Sequence, residues 1–309
     1  MANTKSKKTT KKSSTRPKTV KTVKASETKK VEETKVIASK AECKSIFAGF
    51  FARKFDENEN ILTIFKTPKI WGSLLGELIG TMLLAAFIIS LNWLSGQTGL
   101  GATYMIFGMV AILVAVYAFS GAHLNPLVTV GMMASRRVSA IRGVLYIVAQ
   151  VVGAWLGLML ISAFKSAGGE AANAVELPAM AELTGEHFWA TTMVELMGAT
   201  IIGFFFARAL QYKRSVFTFA IVVACGVSIA MILGLIIMNV FFSTTNGFMM
   251  NPAVAVMYQI FPNSGDNFGE LMGNIALAAV TYIIFPMIGG TLGFYLSDFA
   301  GRLSGEETK

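Results

Sequence analysis

From residue 70 onward the chain alternates long apolar runs with short polar breaks. A helix that crosses a bilayer needs ~20 mostly apolar residues. Six runs reach that length, at about 70–91, 103–119, 143–164, 188–207, 216–238 and 274–296. The first and fourth are each interrupted by one acid, Glu77 and Glu195. Two further apolar pieces, 126–134 and 252–261, are too short to span. At ~1.5 Å per residue each covers roughly half of a ~30 Å hydrocarbon core.

Both short pieces begin with Asn-Pro: Asn125-Pro126-Leu127 and Asn251-Pro252-Ala253. Asparagine is a favoured helix N-cap, and proline suits the first helical position because its missing N–H is not needed there. Starting a helix inside hydrocarbon is tolerated only where the freed backbone faces protein or a watery cavity. The pattern therefore predicts two re-entrant half-helices lining a pore. The alternative, proline kinks in neighbouring continuous helices, is disfavoured because the Asn-Pro start recurs after the second and the fifth run.

The order is itself repeated. A span with one glutamate, a span, an Asn-Pro half-helix and a span occupy 70–164, and again 188–297. Three spans per half send the second half into the membrane from the opposite side, which is an inverted repeat. The expected fold is an all-α membrane protein with six transmembrane helices and two half-helices.

Loop charge gives the orientation. Arg136, Arg137 and Arg142 follow the first half-helix, and Arg208, Lys213 and Arg214 follow the fourth span. The loop at 165–187 carries Glu170, Glu176, Glu182 and Glu186 against one lysine, and Asp266 and Glu270 follow the second half-helix. Basic and non-basic loops alternate, so the positive-inside bias predicts cytoplasmic N- and C-termini.

Composition divides the chain further. It is 54% hydrophobic and 15% charged, and 18 of its 27 Lys+Arg lie in the first 69 residues. Residues 1–66 are expected to form a basic, largely unfolded cytoplasmic tail, residues 67–300 the membrane domain, and 301–309 a short C-terminal tail. The N-terminal tail lacks the early apolar core of a secretory signal. Its charge suits anionic lipid, and residues 46–51 with Phe55 suggest a short interfacial helix. With two cysteines (Cys43, Cys225) and two histidines (His123, His187), no metal site, cofactor or catalytic constellation is expected, and so no enzyme.

The residues around these starts resemble the major intrinsic protein family, the aquaporins and glycerol facilitators. Ser120-Gly-Ala-His-Leu-Asn-Pro126 is similar to the family's first signature and Met250-Asn-Pro-Ala253 to the core of its second. Supporting matches are Gly76-Glu-Leu-Ile-Gly-Thr81, Tyr146-Ile-Val-Ala-Gln-Val-Val-Gly-Ala154 and Pro286-Met-Ile-Gly-Gly290. The resemblance implies a homotetramer with one pore per subunit, in a cell membrane, passing water, glycerol or similar neutral solutes. It assigns Glu77, Glu195 and His123 to bracing the re-entrant loops.

Helix ends supply a mechanism. Two half-helix N-termini, electropositive and rich in free N–H, would meet at the midplane and oppose cations there. Asn125 and Asn251 would cap their helices through oxygen and offer N–H donors to the pore. Backbone carbonyls of residues 121–124 and 247–250 would form a ladder of acceptors.

Departures from the family pattern bear on what passes. Leu127 stands where alanine is usual and is expected to narrow or reshape the midplane. Val254 stands where the family normally has the arginine of its outer selectivity filter. The other filter positions resemble Met105, Asn239 and Phe248. Such a filter has no charge and one aromatic, so it is expected to be wider than a strict water filter and to lean toward glycerol. A coupled secondary transporter would need committed charges near the midplane, and only the two glutamates are available. A non-conducting scaffold with a partner-binding tail would leave the paired pore motifs without a use.

Overall fold

The structure, a computed structural model, describes residues 61–98, 100–169, 183, 185–212, 215–242, 247–260 and 268–305. The tail expected over 1–66, with its interfacial helix, lies almost wholly outside the described residues, as do the last four. The described residues are helical, with no strand among them.

After a short turn of helix, α1 (Ile61–Ile64), the first span is α2 (Pro68–Thr98) and the second α3 (Gly101–Ser120). The first half-helix is α4 (Pro126–Ala134), matching the expected bounds, and the third span is α5 (Ala140–Ala167). The second half continues with α6 (Gly185–Ala209) and α7 (Val216–Ile236). Its half-helix opens as α8 (Pro252–Ala255) and widens to a π-helix over Val256–Ile260. The last span comprises α9 (Phe268–Ala279), a π turn (Val280–Ile284) and α10 (Phe285–Leu303). Six helices are long and apolar enough to cross a membrane. Most overrun the apolar runs by a few residues, because helix ends carry on into the polar headgroup zone.

Local chemistry explains the boundaries. Ser139 and Ser215 cap α5 and α7, accepting from the N–H of Arg142 and Thr218 at 3.3 and 3.1 Å. Gly121, at φ 86°, ends α3 in the left-handed conformation and turns the chain into the membrane interior. The π turn at Val280–Ile284 directly precedes Pro286. A proline in a helix crowds the carbonyl four residues back, here that of Tyr282, and the wider turn relieves it.

The two halves pack alike. α2 lies along α5, and α6 along α10. In the first pair, Gly153 and Gly157 sit against the carbonyls of Leu78 and Met82; in the second, Gly289 and Gly293 sit against those of Leu196 and Thr200. Any Cβ at these four positions would strike backbone, so each Gly-x-x-x-Gly pair lets two helices approach closely. The half-helices cross over: α4 packs on α10 of the second half and α8 on α5 of the first. α3 against α7 closes the joint between halves.

Candidate functional site

The site is built where the two non-helical lead-ins meet. Both contain residues other than glycine at positive φ: Ala122 (54°), Leu124 (52°) and Met250 (47°). Such conformations cost of order 1–3 kcal/mol each and persist only when the surroundings hold them. The holding groups are the intramembrane glutamates. Glu77 accepts from His123 N–H through Oε1 at 3.0 Å and from Leu124 N–H through Oε2 at 2.8 Å. Glu195 accepts from the N–H groups of Met249 and Met250. Both side chains are fully buried.

The first lead-in has further support. Gln150 Nε2 donates to Glu77 Oε2 at 2.7 Å and to Thr129 Oγ1 at 2.9 Å. Thr129 Oγ1 in turn lies 3.2 Å from His123 Nδ1. The His123 ring meets Tyr146 and Phe206 edge-on, with centroids 5.2 and 5.9 Å away. A pair of tyrosines, one per half, reaches the lead-in carbonyls: Tyr146 Oη donates to Ser120 O at 3.3 Å and Tyr282 Oη to Gly247 O at 2.7 Å.

The two asparagines interlock. Asn125 Oδ1 accepts from Leu127 N–H, and Asn251 Oδ1 accepts from Ala253 and Val254 N–H, so each caps its own half-helix. Each amide then crosses to the other half. Asn125 Nδ2 donates to Met250 O at 2.9 Å, and Asn251 Nδ2 donates to Leu124 O at 3.0 Å. A primary amide has two N–H bonds, so each asparagine keeps a second one beyond this lock. The expected carbonyl ladder is correspondingly shorter. Leu124 O and Met250 O are taken by the opposing amides and Gly247 O by Tyr282.

The positions singled out around the asparagines divide. Pro126 and Pro252 open their half-helices and, like Ala253, are buried. Leu127 does not spend its bulk on the midplane. It is fully buried, and a Cβ on Gly290 of α10 would lie 3.0 Å from its Cδ1. The absent side chain at Gly290 makes the room that Leu127 fills. The matching residue of the other half, Ala253, shares a cluster with Ala154 of α5.

Of the expected filter residues, Met105 and Phe248 are buried. The Phe248 ring lies where a Cβ on Gly234 of α7 would come within 2.8 Å. Val254 is fully buried, in a cluster with Ala85, Ile89, Ala154 and Tyr258. Asn239 is exposed in the π turn Ile237–Phe241 and donates to Leu235 O of its own helix at 2.9 Å. The structure therefore brings Phe248 and Val254 to the edges of two different clusters and leaves Asn239 outside both.

Two features escaped the sequence. Arg137 and Asp298 form a two-bonded ion pair at 2.6 and 3.1 Å, tying the end of α4 to α10, with the guanidinium over Phe294. The signal was one acid at the end of an apolar run, placed opposite a basic loop. The Gln150–Thr129 link was signalled only by two polar side chains in apolar surroundings. No group of three or more His, Cys, Asp or Glu side chains that could hold a metal occurs among the described residues.

Comparison with known proteins agrees with this geometry. The chain matches the major intrinsic protein family over residues 64–296. It is 28% identical to aquaporin-4 of Mus musculus over 257 residues, covering 78% of this chain and 72% of that protein. The figures for aquaporin-4 of Homo sapiens are 29%, 78% and 72%. A stretch of 69 residues is 49% identical to the probable aquaporin PIP2-1 of Oryza sativa subsp. japonica, covering 22% of this chain and 24% of that one. Among solved structures, the aquaglyceroporin from Plasmodium falciparum shares the fold, with a TM-score of 0.51 at 15% identity, covering 75% of this chain and 95% of that one.

Proposed function

Because the chain belongs to the major intrinsic protein family, whose members are passive membrane channels and not enzymes, we propose that it conducts water and small uncharged solutes through a filter broad enough for glycerol. The observation that carries the channel reading is the reciprocal lock of Asn125 with Met250 O and of Asn251 with Leu124 O. It supports two half-helix N-termini facing each other, each presenting partial positive charge. A water molecule at that point accepts from the spare N–H of both asparagines. Its own hydrogens then point outward in opposite directions, and a continuous proton wire is interrupted. Glu77 and Glu195 are committed to the lead-in N–H groups, which argues against ion coupling through either acid.

Breadth is argued from Val254. An apolar side chain at the arginine position removes both a fixed charge and a long side chain, so a polyol meets less obstruction and a cation less repulsion. The reading includes the remaining roles inferred from the sequence: Met105, Phe248 and Asn239 toward the outer end, both termini cytoplasmic, a basic tail on anionic lipid, and a homotetramer. Light scattering from proteoliposomes tests it. The native chain should accelerate both water and glycerol equilibration over bare vesicles, without saturation. Val254→Arg should lose glycerol flux more than water flux. Equal loss of both, or no change, removes Val254 from the filter.

A further inference from the structure

The second half-helix has two packed faces. Ala253 clusters with Ala154 of α5, and Ala255 clusters with Ala278 and Tyr282 of the last span. Asn251, Val254 and Tyr258, spaced by three and four residues, share the strip between those faces. The widening to a π-helix at Val256 keeps Tyr258 almost directly above Val254, since four residues are close to one turn in either geometry.

Tyr258 is only 6% exposed, and its hydroxyl has no hydrogen-bond partner among the described residues. Buried hydroxyls are nearly always paired, and an orphan of this kind calls for a missing partner. The tyrosines at comparable depth show the contrast: the hydroxyls of Tyr146 and Tyr282 both reach lead-in carbonyls. An aromatic needed only for packing against Ala85 and Ile89 would be served by phenylalanine.

We propose that Tyr258 is a specificity-determining residue whose hydroxyl hydrogen-bonds a neutral, hydroxylated solute on the outer side of Val254, where the chain has no arginine to do so. The inference rests on the glycerol-permeable reading above. Tyr258 lies on the strip that carries the Asn251 amide, so a solute moving from the outer mouth meets the phenol first and the amide second. A phenol both donates and accepts, which suits a polyol better than a cation.

The test uses the full chain in proteoliposomes, with glycerol and water as probes and Tyr258→Phe and Tyr258→Gln as variants. Tyr258→Phe removes one oxygen and should lower glycerol flux about fivefold, the worth of one ordinary hydrogen bond, with water flux changed less than about twofold. Tyr258→Gln restores a polar end and should recover most of the glycerol flux. Unchanged glycerol flux in Tyr258→Phe overturns the inference, as does an equal fall in both fluxes that Tyr258→Gln does not repair. Native vesicles that take up glycerol no faster than bare ones overturn the broader reading and this one together. Native uptake that survives intact in Tyr258→Phe overturns this one alone.

Discussion

The two halves solve one problem with unequal means. Each must hold a non-helical lead-in inside the membrane, and each assigns one buried glutamate to two backbone N–H groups. In the first half that glutamate belongs to a network with Gln150, Thr129 and His123. At the place of Gln150 in the repeat, the second half has a different residue. Gln150 lies three residues before the first glycine of Gly153-x-x-x-Gly157, and Pro286 lies three before that of Gly289-x-x-x-Gly293. Proline has no side-chain amide to offer, and Glu195 is held by the N–H groups of Met249 and Met250. The half-helices differ accordingly: α4 is regular over Pro126–Ala134, whereas α8 leaves α geometry after Ala255. An inverted repeat thus preserves the contacts that position the asparagines while the supporting chemistry drifts.

The largest expected effect lies in the oxygen assignments of the glutamates. Glu77 uses Oε1 for His123 and Oε2 for both Leu124 and Gln150. In Glu77→Gln an NH₂ group must face at least one of these donors, leaving one or two buried donors unpaired. We expect a loss of roughly 2–6 kcal/mol. Glu195 Oε1 alone lies within bonding reach of both Met249 and Met250 N–H. Glu195→Gln should therefore lose under about 1.5 kcal/mol. Thermal unfolding in detergent compares the two, and equal losses would erase the asymmetry.

A middle-sized effect concerns volume. Leu127→Ala empties the space beside Gly290 and should cost about 2–5 kcal/mol. Ala253→Leu, its mirror image, meets Ala154 rather than a glycine and should cost about 1–3 kcal/mol by overpacking. Unfolding midpoints of the two variants check this, and a Leu127→Ala that is neutral would show that Leu127 is not packed on α10.

The smallest effect separates the tyrosines. Tyr282→Phe removes a 2.7 Å hydrogen bond and should cost about 1 kcal/mol, while Tyr146→Phe removes one of 3.3 Å and should cost less than about 0.5 kcal/mol. The same unfolding assay ranks them, and the reverse order would sink this comparison.

Much of the frame was legible because its signals are local. Asn-Pro fixes where each half-helix starts, and the apolar run from Pro126 to Ala134 also fixes where the first one stops. The glutamates were legible as a pair because the repeat placed them at matching positions. The hidden contacts depend on partners far along the chain. That Met250 O and Leu124 O are occupied is the work of amides more than a hundred residues away. The room for Leu127 is created by an absent side chain at Gly290. The π turns before Pro286 and after Ala255 change the helical period itself, so a count of 3.6 residues per turn misplaces the residues beyond each turn.

The channel reading depends on half-helices that enter from opposite leaflets and meet through their asparagines. Sided cysteine labelling addresses this most directly, in sealed vesicles of uniform orientation and with Cys43 and Cys225 replaced. Ala140→Cys, just beyond α4, should react with a membrane-impermeant thiol reagent only from the face that bears the N-terminus. Met249→Cys, in the second lead-in, should react only from the other face. Reaction of both from a single face would contradict the opposed half-helices.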